Sequence, residues 1–261
     1  MRLNKYFQFS SLQFLIVAST LFTISGQLKA AEVSVVLGSP NTRLGFVQDI
    51  FEKRSDLTPV PEFELTTQVF SILHRKQVRT ASSVGIVWEN GASTLDLLRA
   101  GLDQGARDSQ IVITSVGPIP DSICEHVAQY SDVAFVFSLG SSGIERRSRE
   151  YPNCLSSNIL FIAGLNARDL ALSDRSNYGD LVRLAVSAAN IPVIRANGMA
   201  AYGSGTSFST AIVAARLARI VETNSGLSGA EIIQALLDST ETRRMPSLVG
   251  KTQNALGLID R

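Results

Sequence analysis

Histidine is almost missing from this chain: 261 residues carry two, alongside two cysteines, three methionines and a single tryptophan. So small a supply of nitrogen and sulfur ligands excludes a zinc scaffold, which needs these residues clustered at fixed spacing. Cys124 and His126 come nearest to a ligand pair, and they are too close together and too few. There is no cluster of Asp and Asn with oxygen-ligand spacing either, so no calcium site, no other metal and no cofactor is expected. Formal net charge is +1 and no long basic run is present, which leaves a nucleic-acid partner without an electrostatic footprint. The short cluster Glu145-Arg146-Arg147-Ser148-Arg149 reads as a solvated loop. No internal repeat, low-complexity segment or flexible linker breaks the chain.

What the chain does have is apolar residues, 45% of the total, enough to bury one large core. Residues 1–30 stand apart from that core. Arg2 and Lys5 precede an apolar run from about Leu12 to Ile24, and Leu28-Lys29-Ala30 then offers a small residue before a cut, the pattern of a secretory signal peptide. The run falls short of the ~20 apolar residues of a comfortable membrane span, so no membrane contact is expected beyond the export signal. The expected location is periplasmic or secreted. Export would place Cys124 and Cys154 in an oxidising compartment, where they can pair; two buried free thiols are the other reading.

Beyond residue 30 the hydrophobic pattern alternates between two periods. Val33 to Leu37 reads as a buried strand ended by Gly38-Ser39-Pro40-Asn41, Phe63 to Lys76 as a helix, Val84 to Trp88 as a strand, and Thr94 to Arg107 as a helix. Strand Gln110 to Thr114, helix Asp121 to Tyr130, and strands Val133 to Phe137, Asn158 to Ala163 and Leu181 to Val186 follow. Val133, Phe135 and Phe137 share one strand face and belong to a core. Asn197-Gly198 signals a two-residue hairpin, and Ser228 with Glu231 has capping-box spacing ahead of a helix. Such alternation predicts an α/β fold: a three-layer, doubly wound, mostly parallel sheet with helices on both faces. Ligands of such sheets bind at the carboxyl ends of the strands, where Gly38, Gly117, Gly140 and Gly205 would gather.

The stretch Gly203-Ser204-Gly205-Thr206-Ser207-Phe208-Ser209-Thr210 leads directly into an apolar helical run. A serine where a Gly-rich turn becomes a helix has an exposed hydroxyl beside unpaired backbone N–H groups, the arrangement of a nucleophile with an oxyanion site. It is equally the arrangement of a serine that begins a helix and does nothing more.

The segments Asn158 to Leu165, Ser176-Asn177-Tyr178-Gly179 and Gly205 to Thr210 resemble, in order and spacing, the N-V-I-A-V-G-A, F-S-N-Y-G and G-T-S-M-A-T-P segments of the subtilisin-like serine proteases. The resemblance implies a subtilase-like domain over residues 31–261, with Ser207 at the nucleophile position. Thr114-Ser115-Val116-Gly117 resembles the family segment on whose edge the substrate backbone is laid, which implies substrate contacts from Ser115, Val116 and Gly117. Val133 to Gly143 resembles the strand that ends in A-A-G-N. That match places Ser141 at the oxyanion position, with Ser138, Leu139 and Gly140 as the adjoining substrate wall.

The same alignment leaves the proton-transfer positions empty of ionisable groups. Leu37 falls where the family has its aspartate and Leu65 where it has its histidine. His74 lies nine residues beyond Leu65, ~13 Å along a helix, too far for a base that must come within ~3 Å. His126 falls on the flank of the sheet. Glu64 is the one ionisable neighbour of Leu65, and the serine-carboxyl peptidases, which share this fold, do use a glutamate base; their acids come as a pair one helical turn apart, whereas here four residues on from Glu64 is Gln68 and four on from Glu62 is Thr66. The expectation is an exported degenerate pseudoprotease that binds a peptide or protein segment in an extended groove without efficient cleavage. The alternatives are an active serine endopeptidase with a rearranged base, and an accessory domain that assembles with an exported partner.

Overall fold

The computed structural model describes residues 32–37, 40, 42–50, 64–85, 94–116, 119–166, 168, 171–240, 242–246 and 252–256. Residues 1–30, expected to be an export signal, together with Gly38, Gly117 and the end of the expected strand at 86–88, lie outside the described residues. Six strands, β1 (Val33–Leu37), β2 (Ala81–Gly85), β3 (Ile111–Thr114), β4 (Ala134–Ser138), β5 (Ile159–Leu165) and β6 (Val182–Ser187), form one sheet in the order β2-β1-β3-β4-β5-β6. Every neighbouring pair is parallel, which requires crossover connections in place of hairpins. The sheet is doubly wound, as expected: β1 and β3 are neighbours, so the strand order reverses there and a crevice opens at their carboxyl ends.

Two apolar cores flank the sheet. On one face Val33, Val35, Ile111, Ile113, Val136, Ile162 and Val186 pack with helices α1 (Gly45–Ile50), α2 (Glu64–Arg75), α5 (Thr206–Thr223) and α6 (Gly229–Asp238). On the other, Val36, Val112, Phe135, Phe137 and Phe161 pack with α3 (Thr94–Asp108) and α4 (Asp121–Val127). The alternation along each strand sends successive residues to opposite cores, and Val133, Phe135 and Phe137 do share a face. Helix α5 is buried along most of its length. Its alanines at 211, 214, 215 and 218 lie within the first of these cores and leave room for the sheet to approach.

Two elements depart from the sequence expectation. Strand β2 begins at Ala81 instead of Val84 because Ser82, a polar residue in a strand, is buried and hydrogen-bonded to Ser34 of β1 at 2.6 Å. The hairpin of β7 (Ile191–Ile194) and β8 (Ala200–Gly203) is present, but its loop has three residues. Arg195 N–H closes it on Met199 O at 2.9 Å, and Gly198 takes φ +83°, the left-handed residue that a three-residue loop requires. Helix α1 and a C-terminal antiparallel pair, β9 (Thr242–Pro246) with β10 (Thr252–Leu256), complete the fold. Ser228 caps α6 through a full capping box with Glu231, as its spacing predicts.

Cys124 of α4 and Cys154 of a short 3₁₀ turn form a disulfide. Asp121 reinforces the joint by accepting from Asn153 N–H at 2.9 Å and Asn153 Nδ2 at 2.7 Å. Among the described residues no helix is long and apolar enough to cross a membrane, and no group of His, Cys, Asp and Glu could hold a metal ion.

Candidate functional site

Helix α5 opens at the carboxyl edge of the sheet, and its entrance is built from hydroxyls. Gly205, at φ +152°, precedes the first helical residue and donates its N–H to Ala188 O at 2.7 Å. Thr206 is buried, and its Oγ1 bonds both to Ser138 Oγ at the end of β4 and to Ser141 Oγ at 3.1 Å. Gly164 makes this approach possible, since a Cβ there would lie 2.5 Å from Ala188 Cβ and 3.1 Å from Thr206 Cγ2. Ser209 fixes the helix to β6 by donating to Ser187 O at 2.9 Å. Thr210 Oγ1 donates to Ser207 O at 2.6 Å and lies 3.4 Å from Ser115 Oγ. Ser207, Ser141 and Ser115, far apart in the chain, therefore surround one helix terminus.

Ser207 is half-buried, and among the described residues no group hydrogen-bonds its hydroxyl. The two leucines that the sequence resemblance sets at the proton-transfer positions are part of the apolar packing: Leu37 and Leu65 are partly buried against the core that contains Phe208 and Ala211 of α5. Both histidines are engaged elsewhere. His74 Nε2 lies 3.1 Å from Asp49 Oδ2, joining α2 to α1. His126 Nε2 lies 2.6 Å from Asp103 Oδ1, which also accepts from Tyr130 OH at 2.7 Å. Glu64 is likewise occupied, its Oε2 accepting from Ala196 N–H in the β7–β8 loop at 2.9 Å and its Oε1 from Gln68 Nε2 at 2.6 Å.

The loop that carries Ser141 is held by a residue whose part periodicity does not reveal. Asn177 is buried; its Oδ1 accepts from Ser142 N–H at 3.0 Å and Ile144 N–H at 2.9 Å, and its Nδ2 donates to Leu139 O at 2.8 Å. Gly140, at φ +104°, lies against it, and a Cβ there would meet Asn177 Nδ2 at 2.7 Å. Leu139 is buried with its N–H on Ile162 O at 3.0 Å, and Gly140 O accepts from Asn177 N–H at 2.9 Å. The backbone of Leu139 and Gly140 is thus committed within the protein. On the β3 side, Val116 N–H donates to Thr114 Oγ1 at 3.2 Å. Farther along the same loop the Ser148 hydroxyl, and its N–H after it, hold the Asp180 carboxyl below the usual carboxylate range.

Two larger clefts, of about 600 and 510 Å³, lie between α2 and the β7–β8 hairpin and share Arg75 and Pro192. Neither is lined by Ser207, Ser141 or Ser115.

A parallel sheet with this strand order, and a serine at the mouth of its central helix, define the subtilisin-like class. The model of the subtilase family, peptidase S8, matches residues 71–257, and the chain belongs to that family. The match begins beyond Leu37 and Leu65. Sequence comparison with curated proteins finds no match. Among solved structures, the chain is similar to a cold-adapted subtilisin-like serine proteinase at TM-score 0.68 and 17% identity, covering 90% of this chain and 92% of that one. The prenylagaramide maturation protease PagA gives 0.68 and 17%, covering 93% and 94%. The A subunit of the AB5 toxin from E. coli gives 0.65 and 19%, covering 88% and 90%.

Proposed function

We propose that this subtilase is exported and holds an extended peptide or protein segment at the carboxyl edge of its sheet without cutting it. The observation that carries the reading is the placement of the chain's two imidazoles. Each is hydrogen-bonded to an aspartate, His74 to Asp49 and His126 to Asp103, and neither bonds the Ser207 hydroxyl. A serine hydroxyl is a weak nucleophile until a base takes its proton. In subtilisin, loss of the nucleophile or of the base alone lowers turnover by about 10⁶. Glu64, the remaining nearby acid, is tied to Ala196 and Gln68. Ser207 then serves as a residue of the first turn of α5, and Ser115 and Val116 line the edge along which a peptide lies. Export is supported by the charged and apolar pattern of residues 1–30 and by the Cys124–Cys154 disulfide, which suits an oxidising compartment.

The test uses a fluorophosphonate probe, which reacts only with an activated serine. The purified protein is expected to stay unlabelled, to leave denatured casein intact, and to retain peptides from a random library that elute uncut. Stoichiometric labelling that disappears in Ser207→Ala would overturn the proposal and establish an endopeptidase with a rearranged base.

A further inference from the structure

The β7–β8 hairpin has one edge that the described residues leave open. In its register Ile191 faces Gly203, Pro192 faces Tyr202, Val193 faces Ala201 and Ile194 faces Ala200. Arg195 N–H bonds Met199 O at 2.9 Å, and ladder bonds alternate along an antiparallel pair. The pairs 193/201 and 191/203 therefore bond to each other, while residues 192, 194, 200 and 202 turn their backbone groups outward. On the β7 side the outward N–H of Ile194 is taken by Ser71 Oγ at 3.0 Å. On the β8 side, among the described residues nothing bonds the outward N–H and C=O groups of Ala200 and Tyr202.

Exposed edges are ordinarily guarded by lysine, proline or a bulge. The stretch Met199-Ala200-Ala201-Tyr202-Gly203 has no charge and no proline, and its pairing with β7 is regular. The side chains beside this edge are unusually open for apolar groups, Tyr202 at 74% and Met199 at 57% exposure.

We infer that this edge pairs with its own copy, β8 against β8 in antiparallel register about a two-fold axis at Ala201. The sizes along the strand carry the inference, because they are self-complementary about that residue. With Ala201 opposite Ala201 of the second copy, Ala200 falls opposite Tyr202, and Met199 falls beside Gly203, whose side-chain face is covered by Phe208 of the same chain, a Cβ there lying 2.6 Å from the ring. Tyr202 meets Ala200 twice over, as an isologous interface requires. The outward groups of Ala200 and Tyr202 also fall at positions that exchange N–H···O bonds, so the register fills the open edge and joins the two hairpins into one four-stranded sheet. The nearest charges in sequence, Arg195 and Arg216, lie outside the strand, so no like charges face each other in the ladder. An unrelated extended peptide would use the same backbone groups but has no reason to match this alternation of sizes.

Sedimentation of the purified protein over a wide concentration range is expected to show a reversible monomer–dimer equilibrium. Ala200→Pro removes an outward N–H and leaves the β7–β8 bonds in place, since a proline is tolerated on an edge. It is expected to weaken the dimer by about thirtyfold, two interchain bonds being lost. The register is read by charge exchange: Ala200→Lys with Tyr202→Lys in one chain, Ala200→Glu with Tyr202→Glu in another. Each double variant alone is expected to be monomeric, and an equal mixture to dimerise. This arm stands on its own should Ala200→Pro fail to fold. A monomer at all concentrations, a dimer indifferent to these variants, or a mixture that stays monomeric would overturn the proposal.

Discussion

Replacing Cys124 and Cys154 together by alanine measures how far the loop that carries Ser141 depends on its covalent closure. The bridge joins residues 30 apart, and a loop of that size removes about 4 kcal/mol of chain entropy from the unfolded ensemble. Both cysteines are buried, at 0% and 3% exposure, so deleting two sulfurs adds about 1 kcal/mol of lost packing. The native geometry changes little, because the bonds from Asn153 to Asp121 keep the 3₁₀ turn on α4. Nearly the whole effect therefore acts through the unfolded chain. For a domain of this size a total of about 5 kcal/mol lowers Tm by about 10 to 20 °C. Calorimetry of the wild type and the double variant reads that shift directly. A change within about 3 °C, or two free thiols in the wild type by non-reducing mass spectrometry, would refute the reasoning.

Two further outcomes follow from individual contacts. Asn177→Ala strands the N–H groups of Ser142 and Ile144 and the carbonyl of Leu139; it is expected to destabilise by about 2 kcal/mol and to speed hydrogen exchange at Ser142 and Ile144, with unchanged exchange counting against the clamp. Ser228→Ala removes the cap of α6 and is expected to cost about 1 kcal/mol at neutral pH. The Ser228 N–H, and its hydroxyl after it, hold the Glu231 carboxyl below the ordinary glutamate range. A depressed folded pKa gives stability that is complete above the ordinary value and is lost as pH falls through the folded one. Urea denaturation should therefore find a smaller Ser228→Ala penalty in acid than at neutral pH.

The parallel sheet was legible because strand and helix periods alternate so regularly, and the capping box at Ser228 because its chemistry is local. Strand β2 was read three residues late. Its first half carries Ser82 and Ser83, and the hydroxyl pairing of Ser82 with Ser34, which makes a buried serine tolerable, joins residues 48 apart. The hairpin was visible in Asn197-Gly198, but the length of its loop depends on Arg195 closing on Met199 and on the hold of Glu64 on Ala196. At the site, the hydroxyl network of Ser138, Ser141 and Thr206 unites three segments that no pattern within one segment connects. Asn177 stood inside a recognisable S-N-Y-G segment, yet its work is done on residues 139–144, which only the folded chain brings near.

On the reading proposed above, Leu37 and Leu65, partly buried against the core that holds Phe208, would also act as a ratchet against reversion. Aspartate at position 37 alone would set a carboxylate into packing shared with apolar neighbours, with no imidazole to orient and a desolvation penalty to bear. Histidine at position 65 alone would give up hydrocarbon contacts and find no acid to fix its tautomer. On that reading neither step improves on its predecessor, and a lineage that had acquired both leucines would regain hydrolysis only by crossing two unfavourable changes together.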